Sequence, residues 1–303
     1  MSNELFSLLQ EIVRIPSVNP MGRDVQGDIY LETKMNDWLD NWFNELGVEY
    51  RRQTLEPGRD NLIAIVPGSV APEDGGKVLM LEAHQDTVPI NGMTIDPFDP
   101  VIKDGLMYGR GSCDIKGGMA CMLTAFKRLV TEQPDNVPTV VMACSVNEEH
   151  GMSGADIMPL LWQDTEQKWF AEPAGAIVAE PTMLDIVVAH KGVTRFLVDV
   201  TGQACHSSQP TLGQNAIYRM ARIISVLEDY ALTIVGTLNE HLLVSNPTLS
   251  VGMIGGGISI NTVPDYCSIE VGRRVSPGEC PDVAFDHIEA HVRQALSSEE
   301  WVD

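Results

Sequence analysis

His84, Asp114, Glu148, Glu149 and Glu180 have the side chains and the spacing to hold divalent cations. His84 follows an apolar run over 78–83, the pair Glu148-Glu149 follows a run over 139–146, and Glu180 follows a run over 176–179. Asp114 closes the Gly-rich stretch Gly109-Arg110-Gly111-Ser112-Cys113-Asp114, just before a helical pattern. Clustered carboxylates repel one another and hold protons unless a cation lies between them. Carboxylate and imidazole together suit zinc, with cobalt or manganese as substitutes. Asp86, two residues past His84, is placed to accept from the imidazole and fix its tautomer. The adjacent glutamates divide into two roles. One ligates, while the other takes a proton from a coordinated water, whose pKa falls to about 7, and later gives a proton to the leaving amine.

These residues need a scaffold that brings distant segments to one edge. Helical patterns run over 1–16, with Leu5, Leu8, Leu9, Ile12 and Val13 on one face, and over 28–46, where Leu31, Met35, Trp38, Leu39, Trp42 and Leu46 recur before Gly47. Strand-like runs occupy 48–53, 61–66 and 77–83. A polar loop over 91–115 leads into a helix over 116–131, and further strands lie at 139–146 and 176–179. Apolar runs alternating with helices imply an α/β fold, a mixed and mostly parallel sheet sandwiched by helices. Ligands in such sheets bind at the carboxyl ends of the strands.

After Pro181 the pattern becomes strand 193–201, helix 213–230, strands 248–254 and 266–271, and helix 281–295. This β-α-β-β-α order is a ferredoxin-like α+β unit without its closing strand. It reads as a second domain inserted in the first, with 1–182 as the metal-binding domain and 183–303 as the insert.

Composition excludes several partners. With 42 acidic and 20 basic residues the net charge is −22, against nucleic acid and anionic membranes alike. No apolar run is long enough for a membrane span, and the acidic, uncleavable N-terminus is no secretory signal. Six cysteines without close pairing fit a reduced, cytoplasmic protein.

Longer motifs add a family. His84-Gln85-Asp86-Thr87-Val88-Pro89, the stretch from Gly109 to Gly118, Asn147-Glu148-Glu149, Ala179-Glu180-Pro181-Thr182 and Ala189-His190-Lys191-Gly192 resemble segments of the acetylornithine deacetylase and succinyl-diaminopimelate desuccinylase family. So do Cys205-His206-Ser207-Ser208-Gln209-Pro210 and Asn261-Thr262-Val263-Pro264-Asp265. The resemblance implies a zinc-exopeptidase-like fold with an inserted dimerisation domain. It also implies a metal-dependent hydrolase that cleaves the amide of a small N-acyl amino acid such as acetylornithine. It implies two divalent ions, one held by His84 and Glu180 and one by Glu149, bridged by Asp114, with Glu148 as general base. It further implies a homodimer in which His206 reaches the partner's site and steadies the oxyanion, while Asn261 and Arg274 hold the substrate, Arg273 being the fallback for Arg274. Gly272 stands where relatives often carry Asp. The family supplies a final His to the second ion and a closing strand to the insert from beyond the segment that corresponds to 183–303, so both are expected to be missing here.

Other readings compete. A dipeptidase or carboxypeptidase shares these motifs, and a chain lacking the last ligand would be an inactive dimerisation or binding protein. His287 and His291 have a spacing that can bind zinc on a helix, but an exposed helix face is the simpler reading. Arg110 and Lys116 are expected to pair with the acidic cluster. Cys113 lacks an activating His nearby in sequence, so packing is its simpler role. Gly255-Gly256-Gly257 lacks the Lys-Ser/Thr of a phosphate loop and reads as a bend.

Overall fold

The computed structural model describes residues 2–301 and divides the chain into two compact units, Met1–Leu184 and Asp185–Asp303. The first contains α1 (Ser2–Val13), α2 (Thr33–Leu46), β1 (Glu49–Glu56), β2 (Arg59–Val66), β3 (Val78–Glu82), β4 (Val101–Lys103), β5 (Leu106–Tyr108), α3 (Lys116–Glu132), β6 (Thr139–Cys144), the short helices α4 (Ser153–Ile157) and α5 (Leu160–Gln163), and β7 (Gly175–Val178). Its main sheet has the order β1-β2-β6-β3-β7. β3 is parallel to both β6 and β7, and β2 is antiparallel to β1 and β6. Four strands therefore run one way and β2 alone opposes them.

Every residue of β6 is buried, as a continuous Thr-Val-Val-Met-Ala-Cys run demands of a strand covered on both faces. One face is filled by Ile12 of α1, Met35, Leu39 and Phe43 of α2, and Met119, Leu123 and Phe126 of α3, over Leu62, Leu81, Val140 and Met142. The other carries Ile63, Met80, Val141 and Ala143 under Met158, Leu161 and Phe170.

Register then decides what the sheet's edge displays. Glu82 pairs with Ala143 on one side and Val178 on the other. The residues two places on, His84, Ser145 and Glu180, consequently lie level at one edge. Gly118 assists. A Cβ there would lie 2.7 Å from that of Ala179, so its absence lets the start of α3, and Asp114 before it, approach the end of β7.

Residues 255 and 256, read as part of a bend, continue a strand, the helix expected over 213–230 runs from Ala216 to Thr233, and two differences in the first unit bear on its loops. The helix expected from residue 28 begins at Thr33. Tyr30 bridges Val18, Leu31 adopts a left-handed φ of 64°, and Glu32 is buried against Arg59. The expected loop over 91–115 holds the hairpin β4–β5 around Asp104-Gly105, both at positive φ, a two-residue turn for which Asp-Gly is well suited.

The second unit contains β8 (Gly192–Thr201), β9 (Cys205–His206), α6 (Ala216–Thr233), β10 (Thr248–Gly256), β11 (Thr262–Val263), β12 (Tyr266–Val275) and α7 (Pro281–Ala295). An antiparallel sheet of order β10-β12-β8 carries α6 and α7 on one face, around Met220, Ile223, Leu227, Tyr230, Ile269, Val271 and Ile288. β9 and β11 form a separate pair.

β12 alternates buried and exposed positions, and Arg273 falls on the buried side. It donates to Glu279 at 2.6 Å, the two side chains being 0 % and 4 % exposed. Arg273 is therefore a structural cation and not the substrate contact kept in reserve for it; the β-strand period turns Arg274 outward instead. No described helix is long and apolar enough to cross a membrane. Breaking a buried ion pair from one side leaves the other charge unpaired and costs about 3–5 kcal/mol. Glu279→Ala is expected to destabilise the second unit by that amount, measured as faster amide hydrogen exchange in β12 and α6 with the first unit unchanged.

Candidate metal centre

The edge set by the sheet register gathers His84, Asp114, Glu148, Glu149 and Glu180 in the first unit. His84 is 2 % exposed. Its Nδ1 lies 2.9 Å from the Asp86 backbone carbonyl, which fixes that nitrogen as the donor. Nε2 then points at carboxylates: Asp114 Oδ1 at 3.3 Å, Glu148 Oε2 at 3.8 Å and Glu180 Oε1 at 3.9 Å. It makes no hydrogen bond among the described residues. His84, Asp114 and Glu180 place ligand atoms within 4.8 Å of one another, as do His84, Glu148 and Glu149. A buried nitrogen without a hydrogen bond, ringed by carboxylate oxygens, is costly for a neutral imidazole and favourable for one bound to a dication.

Ionisation bears this out. Burial works against a charged His84, but Asp114, Asp86 and Glu148 overcome it and push the ring up to about 11. Burial, reinforced by Asp114, pushes Glu149 up to about 7. Burial also raises Glu180 to about 6, with Asp114 and Glu148 adding to it. Without a cation the cluster accumulates protons, which a dication would displace.

Asp86 takes a different part from the one expected. The backbone carbonyl, not the carboxylate, meets Nδ1 of His84; Oδ1 is 3.6 Å away. The carboxylate accepts instead from the backbone N–H of Glu148 and of Glu149, each at 3.1 Å, and from Asn19 Nδ2 at 2.7 Å. Burial would raise its pKa, but the His84 ring, Asn19 and the Glu149 amide outweigh that and hold it low. Glu149 Oε1 accepts from the Val88 N–H at 3.0 Å, which directs its carboxylate.

The expected cations lie elsewhere. Lys116 is fully buried and donates to the Ile15 carbonyl at 2.5 Å, and burial lowers its pKa to about 7. Arg110 donates to the Pro89 carbonyl at 2.9 Å. Both pin loops by backbone contacts in place of neutralising the cluster.

In the second unit His206 pairs with Thr262 across β9–β11, and Ser207 donates to the Asn261 carbonyl at 2.9 Å, so His206 and Asn261 are neighbours. The His206 Nδ1 lies 2.7 Å from Ser208 Oγ. Arg274 is exposed on β12, opposite Thr248 and Val193. His287 is within 2.6 Å of the Tyr230 hydroxyl.

Residue patterning missed Asn19, Glu32, Arg59 and Glu82. Glu82 is half-buried beside the cluster, accepts from Ser145 Oγ at 2.5 Å, and is raised in pKa by burial. Its signal was available: Glu82 ends β3 two residues before His84, the spacing that turns both to one face.

The peptidase dimerisation domain family matches residues 188–300, within the second unit. The acetylornithine deacetylase of Vibrio vulnificus is 33 % identical over 265 residues, which cover 86 % of this chain and 65 % of that protein. That of Proteus mirabilis is 32 % identical over 283 residues, covering 89 % and 67 %. The chain thus spans about two thirds of the length of these relatives. Among solved structures, an M20 family metallo-carboxypeptidase from Sulfolobus solfataricus superposes with a TM-score of 0.74 at 20 % identity, over 97 % of this chain and 76 % of that one, a likeness of fold.

The raised pKa values set a pH dependence. At pH 7 the metal-free His84 ring carries a proton that a dication must expel, and Glu149 is about half protonated. Zinc affinity is therefore expected to rise about tenfold per pH unit between 7 and 9, more steeply below 7, with more than one proton released per first ion at pH 7. Calorimetry in buffers of different ionisation enthalpy measures this, and zinc binding without proton release would remove His84 from the ligand set.

Proposed function

The chain belongs to the acetylornithine deacetylase family of M20 metallohydrolases, and from that premise we propose that it hydrolyses the amide bond of a small N-acyl amino acid, acetylornithine first among candidates. The observation that carries this reading is the buried Nε2 of His84, without a hydrogen bond and facing Asp114, Glu148 and Glu180. His84 and Glu180 would hold one divalent ion and Glu149 a second, with Asp114 between them. Zinc suits this donor set best, and cobalt or manganese can replace it. Bound there, such ions supply Lewis-acid polarisation of the amide carbonyl and acidify water.

The remaining steps fall to the chain's own groups. Glu148 takes the proton of the attacking water on its carboxylate and delivers it to the leaving amine nitrogen. Its backbone is fixed by the Asp86 carboxylate, so the base is held by the residue next but one to His84. Arg274 meets the substrate carboxylate in a two-pronged contact, and Asn261 orients the acyl group. His206 donates to the developing oxyanion. In the homodimer proposed for the second unit, His206 serves the partner's site.

The test is Glu148→Gln assayed with N-acetyl-L-ornithine in zinc- or cobalt-loaded protein. Loss of a general base lowers kcat by about 10²–10⁴, and metal content is expected to remain as in the parent chain. Unchanged turnover in the variant, or none in the metal-loaded parent on any N-acyl amino acid, would overturn the assignment.

A further inference from the structure

Behind the carboxylate cluster lies a second, drier set of charges. Arg59, the first residue of β2, meets Glu32, which precedes α2, at 2.9 Å, their side chains 5 % and 0 % exposed. The same oxygen, Glu32 Oε1, accepts from the backbone N–H of Asn147 at 3.3 Å. Glu32 Oε2 has no hydrogen-bond partner among the described residues. A buried ion pair gives little net stability, and an unsatisfied buried oxygen asks for a reason beyond packing.

Asn147 shows what that reason is. It is a non-glycine residue at φ 58°, a conformation that persists when its surroundings impose it. Every polar group of Asn147 is engaged. Its carbonyl accepts from Met152, Oδ1 accepts from Asn19, Nδ2 donates to Ser153, and the N–H goes to Glu32. The next two amides, of Glu148 and Glu149, go to the two oxygens of Asp86. Three consecutive N–H groups are thus taken by two buried carboxylates. A run of such amides makes an anion-binding concavity, filled here from within the protein. Two carboxylates so placed repel each other; burial and the Asp86 charge push Glu32 up to about 8, and Arg59 offsets only part of that cost.

We propose that Glu32 and Arg59 are positioning residues, whose buried pair holds the turn 147–149 so that Glu148 and Glu149 point into the cluster. The catalytic consequence rests on the hydrolase reading above; the positioning itself does not.

The deciding variant is the double substitution Glu32→Leu with Arg59→Met. It replaces the pair by apolar side chains of similar size, which buried ion pairs commonly tolerate, while removing the acceptor of the Asn147 amide. Glu32→Gln keeps an acceptor oxygen and serves as the rescue. Amide hydrogen exchange in metal-free protein is the primary readout, independent of metal or turnover. In the double variant, exchange at 147–149 is expected to accelerate at least about tenfold relative to the amides of β6, and Glu32→Gln is expected to restore most of the protection. In loaded protein, cobalt affinity is expected to fall about 10–100-fold in the double variant, and kcat to fall with KM little changed. Parent-like protection at 147–149 in the double variant, or acceleration spread evenly over the first unit, would overturn the proposal. Loss of protection without any hydrolysis in the parent would sustain it and count against the hydrolase reading alone.

Discussion

The first unit is organised around a repulsion. Asp114, Glu148, Glu149 and Glu180 converge on one buried imidazole whose Nε2 has no hydrogen bond. Lys116 and Arg110 spend their charges on backbone carbonyls, so the protonated His84 ring is left to offset the carboxylates, with water reaching Asp114, Glu148 and Glu180 only in part. Left alone, the cluster holds protons, as the raised pKa values of Glu149 and Glu180 show. A divalent ion relieves the same strain without protons, and the donor set is of the kind that zinc takes.

Holding such a cluster requires a stiff support. The buried run of β6 and the parallel register of β3 with β6 and β7 place His84, Ser145 and Glu180 level. Core burial on both faces of the sheet gives that register its rigidity. The turn after β6 cannot be fixed by ladder hydrogen bonds, because the strand has ended. Buried carboxylates take over, Asp86 for Glu148 and Glu149 and Glu32 for Asn147. Backbone amides thus position the side chains that would do the chemistry, and charged side chains position the amides.

Much of this was legible in the sequence because it is local. Apolar runs such as Thr139 to Cys144 announce buried strands, and a polar residue directly after such a run falls at the strand's end. What was not legible is non-local. Leu31 seemed to extend the apolar stripe of α2, which hid both the left-handed backbone there and the burial of Glu32. The Arg59 contact spans 27 residues and the Asn147 contact 115, and no spacing rule connects them. Asp86 was expected to accept from His84 through its carboxylate; the backbone carbonyl takes that hydrogen bond, and the carboxylate, 3.6 Å off, acts on the ring through its charge, a distinction of atoms that residue types do not carry. Besides Glu82, two features could have been read and were not. Asp104-Gly105 signals a hairpin, and the alternation through Cys267, Ile269 and Val271 puts Arg273 inside and Arg274 outside.

The most direct measurement of the central claim is X-ray absorption at the zinc edge of protein loaded with one equivalent of zinc, compared with His84→Ala. The account predicts a nitrogen and oxygen shell at about 2.0–2.2 Å with the outer-shell scattering of a single imidazole, which disappears in the variant. A shell that is wholly oxygen, contains sulfur, or keeps its imidazole scattering in His84→Ala would contradict it.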